Sequence, residues 1–149
     1  MPYEFKTERT VEFAETDMAG ILHFSNYFRY MEEAEHAFFR SLGLSVHPSN
    51  QTGPEKAYGA ARRSAACTFT QPLRFEDVVE LHVRVKEKRS RSISYDFVFR
   101  KTPELTEVAR GEITVVFVTK GEDGSSLTAI PIPPEVDALV VAAPPELPA

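Results

Sequence analysis

One segment of this chain carries a different hydrophobic period from every other. Over residues 26–42, Tyr27, Tyr30, Met31, Ala34, Phe38 and Leu42 fall in one stripe at 3.6 residues per turn, while Arg29, Glu32, Glu33, His36 and Arg40 face away. That is an amphipathic helix about 25 Å long, enough to cross a sheet. Ser25 is placed to cap its first turn, and Gly43 to end it in a left-handed conformation.

Five other segments carry a period of two, the mark of strands with one buried face. Tyr3, Phe5, Val11 and Phe13 take odd positions near the start, with Thr7 and Arg9 interrupting the apolar face. Val79, Leu81, Val83 and Val85 alternate with Glu80, His82, Arg84 and Lys86, and Ile93, Tyr95, Phe97 and Phe99 alternate mostly with polar residues. Residues 107–119 put Ala109, Gly111, Ile113, Val115 and Phe117 on one face, and an alanine-rich stretch over 57–69 gives a weaker fifth strand. Short connections at 88–91 and 121–124 join them. This order predicts an α+β chain, an antiparallel sheet with one helix lying on its face. Residues 50–55 read as a mobile loop. Prolines at 131, 133, 134, 144, 145 and 148 predict a tail without regular structure over 132–149, after a single domain at 1–131.

At 149 residues and 42% hydrophobic, the chain can bury one core but not two. Its lone cysteine, Cys67, excludes an internal disulfide framework, and as a strand residue it is expected to be a buried apolar side chain. No apolar signal region opens the sequence, and no apolar run approaches the ~20 residues that span a bilayer. A soluble cytoplasmic protein is expected, in which Asn50-Gln51-Thr52 has no consequence as a glycosylation acceptor. The net charge of −5 argues against general nucleic-acid binding. Histidines 23, 36, 47 and 82 lack zinc-site spacing, and neither a Gly-x-Ser-x-Gly elbow nor a phosphate-cradling glycine loop is present.

Chemistry concentrates in residues 15–27, between the first strand and the helix. Asp17 falls in a turn just ahead of a helix N-terminus, whose unpaired N–H groups can stabilise an oxyanion. A carboxylate there could attack an acyl carbon or take a proton from water; it could equally be a turn former. His23 has the same two readings, a group that orients substrate or exchanges a proton near neutral pH, or a helix-entry residue bonded to backbone. A second concentration is cationic. Arg84, Lys86, Lys88, Arg89 and Arg91 cluster on one strand and its turn, either to hold phosphates or to protect an edge strand.

The run Thr16-Asp17-Met18-Ala19-Gly20-Ile21, with Ser25-Asn26-Tyr27, Arg29-Tyr30, Glu33-Ala34 and Leu42-Gly43, resembles the signature of the 4-hydroxybenzoyl-CoA thioesterase family and its Tol–Pal-associated acyl-CoA thioesterase relatives. The resemblance spans about residues 3–131. It implies a hotdog fold, a sheet wrapped around one long helix, assembled as dimers or tetramers with active sites at the subunit interface. It implies hydrolysis of an acyl-CoA thioester without metal or cofactor, coenzyme A entering only as part of the substrate. Asp17 matches the family's nucleophile or general base. Gly20, His23, Phe24 and Tyr27 fall at oxyanion or substrate-positioning places, with the polarising N–H near His23 and Phe24. Lys88, Arg89 and Arg91 fall where relatives bind the nucleotide phosphates. Many acyl-CoA members carry histidine where this chain has Phe24, whereas the 4-hydroxybenzoyl branch, which the chain resembles here, has an aromatic residue; this inclines the reading towards aromatic substrates. Two alternatives stay open: another acyl-thioester reaction on this fold, such as enoyl hydration, and a non-catalytic acyl-CoA binding protein.

Overall fold

Period-two alternation and the single amphipathic stripe resolve into one sheet and one long helix. The computed structural model describes residues 2–46, 58–120 and 126–145. In chain order it comprises β1 (Glu4–Thr10), a short 3-10 helix (Phe13–Glu15), α1 (Ser25–Ser41), β2 (Gly59–Phe69), β3 (Val78–Lys88), β4 (Ser92–Lys101), β5 (Thr106–Lys120), β6 (Leu127–Ala129) and α2 (Pro134–Leu139). The strands pair antiparallel in the order β1-β3-β4-β5-β2, with β6 against β5. This is the expected α+β architecture, with α1 packed against β1, β2 and β3. No helix among the described residues is long and apolar enough to cross a membrane.

The core forms where the two periods meet. Val79, Leu81, Val83 and Val85 of β3, Ile93, Tyr95, Phe97 and Phe99 of β4, and Ile113, Val115 and Phe117 of β5 are buried against Tyr27, Tyr30, Met31, Ala34 and Phe38 of α1. Gly111 lies within β5 because the helix comes so close: a Cβ there would run into the Met31 sulfur. Gly43 ends α1 as expected, at φ +77°, with the Leu44 N–H returning to the Phe39 carbonyl at 2.9 Å.

Three expectations are corrected. Ser25 does not cap α1 but is its first residue, preceded by Phe24 already in helical conformation; its hydroxyl pairs with His23 Nδ1 at 2.8 Å. Phe13 is not on a strand face. β1 stops at Thr10, and the exposed Phe13 ring sits edge-on to Phe75 at 5.8 Å. The tail is not without regular structure, since it forms α2, and its Ile132, Val136 and Val140 join the core. Pro134 starts α2 at a position whose N–H no helix uses. The 50–55 loop, the 121–124 connection, His47 and Pro148 lie outside the described residues.

Candidate active site

The loop carrying Asp17 is a small hairpin pinned at both sides. Thr16 bridges to Leu22, and Ile21 bridges to Arg74 ahead of β3. Within it the Asp17 N–H donates to the Ile21 carbonyl and the Gly20 N–H to the Asp17 carbonyl, both at 2.9 Å. Gly20 adopts φ +79°, which side chains avoid, so its place is to close the turn; its N–H is already spent. Asp17 Oδ1 accepts the N–H groups of Ala19 at 2.8 Å and Ile21 at 3.4 Å. The turn-forming reading thus describes one carboxylate oxygen. Among the described residues no donor reaches Oδ2, on a side chain that is only half-buried.

At the helix start, hydrogen bonding leaves a single backbone N–H without an acceptor among the described residues. His23 N–H donates to the Glu15 carbonyl at 2.9 Å, Ser25 N–H to His23 Nδ1 at 3.3 Å, Asn26 N–H to the His23 carbonyl at 2.9 Å and Tyr27 N–H to the Phe24 carbonyl at 3.2 Å. The Phe24 N–H has no acceptor among the described residues, at the positive end of the α1 dipole. The His23 N–H is therefore engaged within the chain. The exposed His23 ring stacks on Phe24 at 4.7 Å and fixes the helix entry through Ser25. Tyr27 is buried between Phe69 and Phe99, and burial pushes its hydroxyl up to about 12.

Sequence reasoning missed the brace behind this loop. Glu15 takes the Tyr30 hydroxyl at 2.6 Å and the Glu12 N–H at 2.9 Å on Oε1, and Arg9 Nη2 at 2.7 Å on Oε2. Its own carbonyl holds both His23 N–H and Asn26 Nδ2. Arg9, read as an interruption of the β1 face, lies over the Tyr30 ring at 4.6 Å. Burial works to raise the Glu15 pKa, but the Tyr30, Glu12 and Arg9 donors together hold it below its usual 4.5. A depressed carboxylate contributes stability above its unfolded pKa and loses it as pH falls through the folded value. Glu15→Gln is expected to cost about 1–3 kcal/mol at neutral pH. Chemical denaturation along a pH series should show that gap closing below pH 4.5.

The cationic hairpin separates into residues with different duties. Lys88, expected at a phosphate-binding place, has partners within the chain. Its ammonium pairs with Asp137 Oδ1 at 2.8 Å and caps the carbonyls of Asp137 and Val140, tying α2 to β3. Among the described residues Arg89 pairs only with the half-exposed Glu87 at 2.7 Å, a contact worth little in water. The exposed Arg91 has no ion pair among the described residues. Arg63, which sequence reasoning did not single out, comes from β2 to share a cleft of about 470 Å³ with Arg89, Ser64 and Thr114. Cys67 is half-buried, and burial pushes its thiol up to about 11, which suits a packing residue better than a nucleophile.

The structure does not bring the Asp17 loop and this hairpin together within one chain. The loop is pinned ahead of Val78 and the hairpin follows Lys88, so the eleven residues of β3, about 33 Å of strand, lie between them.

Residues 11–140 match the model of the thioesterase-like superfamily. Over 130 residues the chain is 32% identical to the 4-hydroxybenzoyl-CoA thioesterase of Pseudomonas sp. strain CBS-3, covering 85% of this chain and 89% of that one. The crystal structure of a 4-hydroxybenzoyl-CoA thioesterase variant with an aspartate changed to asparagine, complexed with 4-hydroxybenzoyl-CoA, superposes with a TM-score of 0.82 at 26% identity, over 93% of this chain and 99% of that one. A gentisyl-coenzyme A thioesterase superposes at 0.76 with 29% identity, over 89% and 99% of the two chains. The chain therefore belongs to the hotdog-fold acyl-CoA thioesterase family that includes 4-hydroxybenzoyl-CoA thioesterase, and it is a thioester hydrolase.

Proposed function

We propose that this hydrolase cleaves the coenzyme A thioester of a hydroxylated aromatic acid, with Asp17 as the reacting carboxylate. The observation that carries the reading is that one loop holds a carboxylate oxygen that accepts no hydrogen bond, and a helix-start N–H that donates none, among the described residues. The Phe24 N–H would polarise the thioester carbonyl, and Asp17 would attack the acyl carbon or take a proton from the attacking water. Water adds to the acyl group, the C–S bond breaks, and free acid and coenzyme A thiol leave. The hydroxybenzoyl and gentisyl substrates of the relatives, with Phe24 at the helix start, favour an aromatic acyl group.

A dimer completes the site in this reading. β2 is an eleven-residue edge strand without proline, on which Ala65, Ala66 and Phe69 are exposed, and Met18 and Phe24 are exposed beside the Asp17 loop. Pairing of β2 with its copy would cover that edge and bring cationic and catalytic segments of two chains within reach of one coenzyme A. No cofactor beyond the substrate is called for, and the cytosol is the expected location.

The reaction is tested by product analysis after incubation with 4-hydroxybenzoyl-CoA. Equal amounts of free acid and thiol support it, and an intact thioester in folded protein overturns it. For the nucleotide end, Arg89→Ala combined with Arg91→Ala is expected to raise KM about 10-fold with kcat within a factor of about 2, since charge-assisted contacts to phosphate serve ground and transition state alike. Steady-state kinetics checks this.

A further inference from the structure

Val11 and Leu22 belong to the core, but no side chain between them is buried. Asp17 lies midway along this stretch, so apolar packing does not place it. The turn bonds of Asp17 and Gly20 shape the hairpin, and the bridge from Ile21 to Arg74 holds one side of it. The stem is held at Glu15, two residues before Asp17. Its carboxylate receives Arg9 from β1, the Glu12 N–H and the Tyr30 hydroxyl from the second turn of α1. Its carbonyl receives the His23 N–H and Asn26 Nδ2. Arg9 also donates to Glu33 Oε2 at 3.1 Å, so one guanidinium links the turn to the helix.

The carbonyl bonds bear on the chemistry. His23 directly precedes Phe24, whose N–H has no acceptor among the described residues. One hydrogen bond of 2.9 Å, from the His23 N–H to the Glu15 carbonyl, therefore joins the stem of the Asp17 carboxylate to the stem of the helix-start donor. The buried Asn26 reinforces it on the same carbonyl at 2.9 Å. Where that carbonyl stands is fixed in turn by the Glu15 carboxylate. A comparable ion pair elsewhere has no such connection. Arg100 and Glu80 lie 2.9 Å apart across β4 and β3 with side chains 27% and 16% exposed, against 2.7 Å, 28% and 15% for Arg9 and Glu15.

We propose that Glu15 is a positioning residue for the hydrolysis: held by Arg9 and Tyr30, it sets the place of the Asp17 carboxylate relative to the Phe24 N–H. The proposal rests on the roles assigned above to those two groups. Steady-state kinetics with 4-hydroxybenzoyl-CoA, run well below each variant's melting midpoint, tests it. Glu15→Gln is expected to lower kcat about 10- to 100-fold with KM within about 3-fold, since a small misplacement of reacting groups costs rate while ground-state binding persists. Tyr30→Phe removes one donor and leaves the ring against Arg9, and it should lose about 3- to 10-fold in kcat. Glu80→Gln, the matched control, breaks a pair of similar burial and should keep kcat within about 2-fold although its melting midpoint falls. In the Asp17→Asn background, Glu15→Gln should cost less than about 3-fold, because the geometry it sets has lost its carboxylate. Native kcat in folded Glu15→Gln overturns the proposal, as does an equal factor in both backgrounds or an equal loss of kcat in Glu80→Gln. Failure of the native protein to cleave the thioester, or full activity of Asp17→Asn alone, would instead overturn the roles on which the proposal rests, and both are seen without any change at Glu15.

Discussion

Asp17→Asn is expected to lower kcat for the best thioester by about 10²- to 10⁴-fold, the usual worth of a positioned acid–base or nucleophilic group. The same change should leave the fold almost untouched. Asparagine retains an Oδ1 that can accept the Ala19 and Ile21 N–H groups, so the turn closed by Gly20 survives. What it removes is the anionic character of the other oxygen, which no group in the loop uses. Circular dichroism and a thermal melt beside the thiol-release rate separate the two effects. A variant that melts like the native protein and still turns over at the native rate would show Asp17 to be a turn former alone.

Gly111→Val is expected to cost about 1–3 kcal/mol of stability, the range for forcing extra atoms into a packed core. The branched side chain would occupy the space of the Met31 sulfur, midway along α1, where neither helix nor sheet can move without disturbing Phe97 and Val115. For a chain of this length the melting midpoint should fall by roughly 3–10 °C. Met31→Ala added to Gly111→Val should recover part of the loss, because the two side chains compete for one volume. Purely additive destabilisation of the pair would contradict the close approach.

The helix and the central strands were legible in the sequence because large apolar residues carry their periods: the 27, 30, 31, 34, 38 stripe cannot be laid on a strand, nor the alternation from 79 to 85 on a helix. The tail was misread because proline signals a break, whereas Pro134 occupies the one helical turn that tolerates it. The pairing of Lys88 with Asp137 was not legible because the two lie 49 positions apart, and no local pattern records that α2 folds back onto β3. Asp17 could be singled out from its place before a helix, but not the division of labour between its two oxygens. Likewise, spacing puts His23 and Phe24 equally near the helix start. The Phe24 N–H is left over only because the Glu15 carbonyl takes that of His23. Glu35 belongs to neither face of the stripe as the sequence reads, and its burial follows from Arg62 reaching over from β2.

The most direct test of the central claim is thiol release by the native protein from a panel spanning hydroxylated aromatic, plain aromatic and straight-chain acyl-CoAs, with Asp17→Asn run in parallel. Cleavage that favours the hydroxylated aromatic thioesters by at least about 10-fold in kcat/KM, and that collapses in the variant, is the expected result. Equal cleavage of all chains by both proteins, or none from any by protein that melts cooperatively, would contradict it.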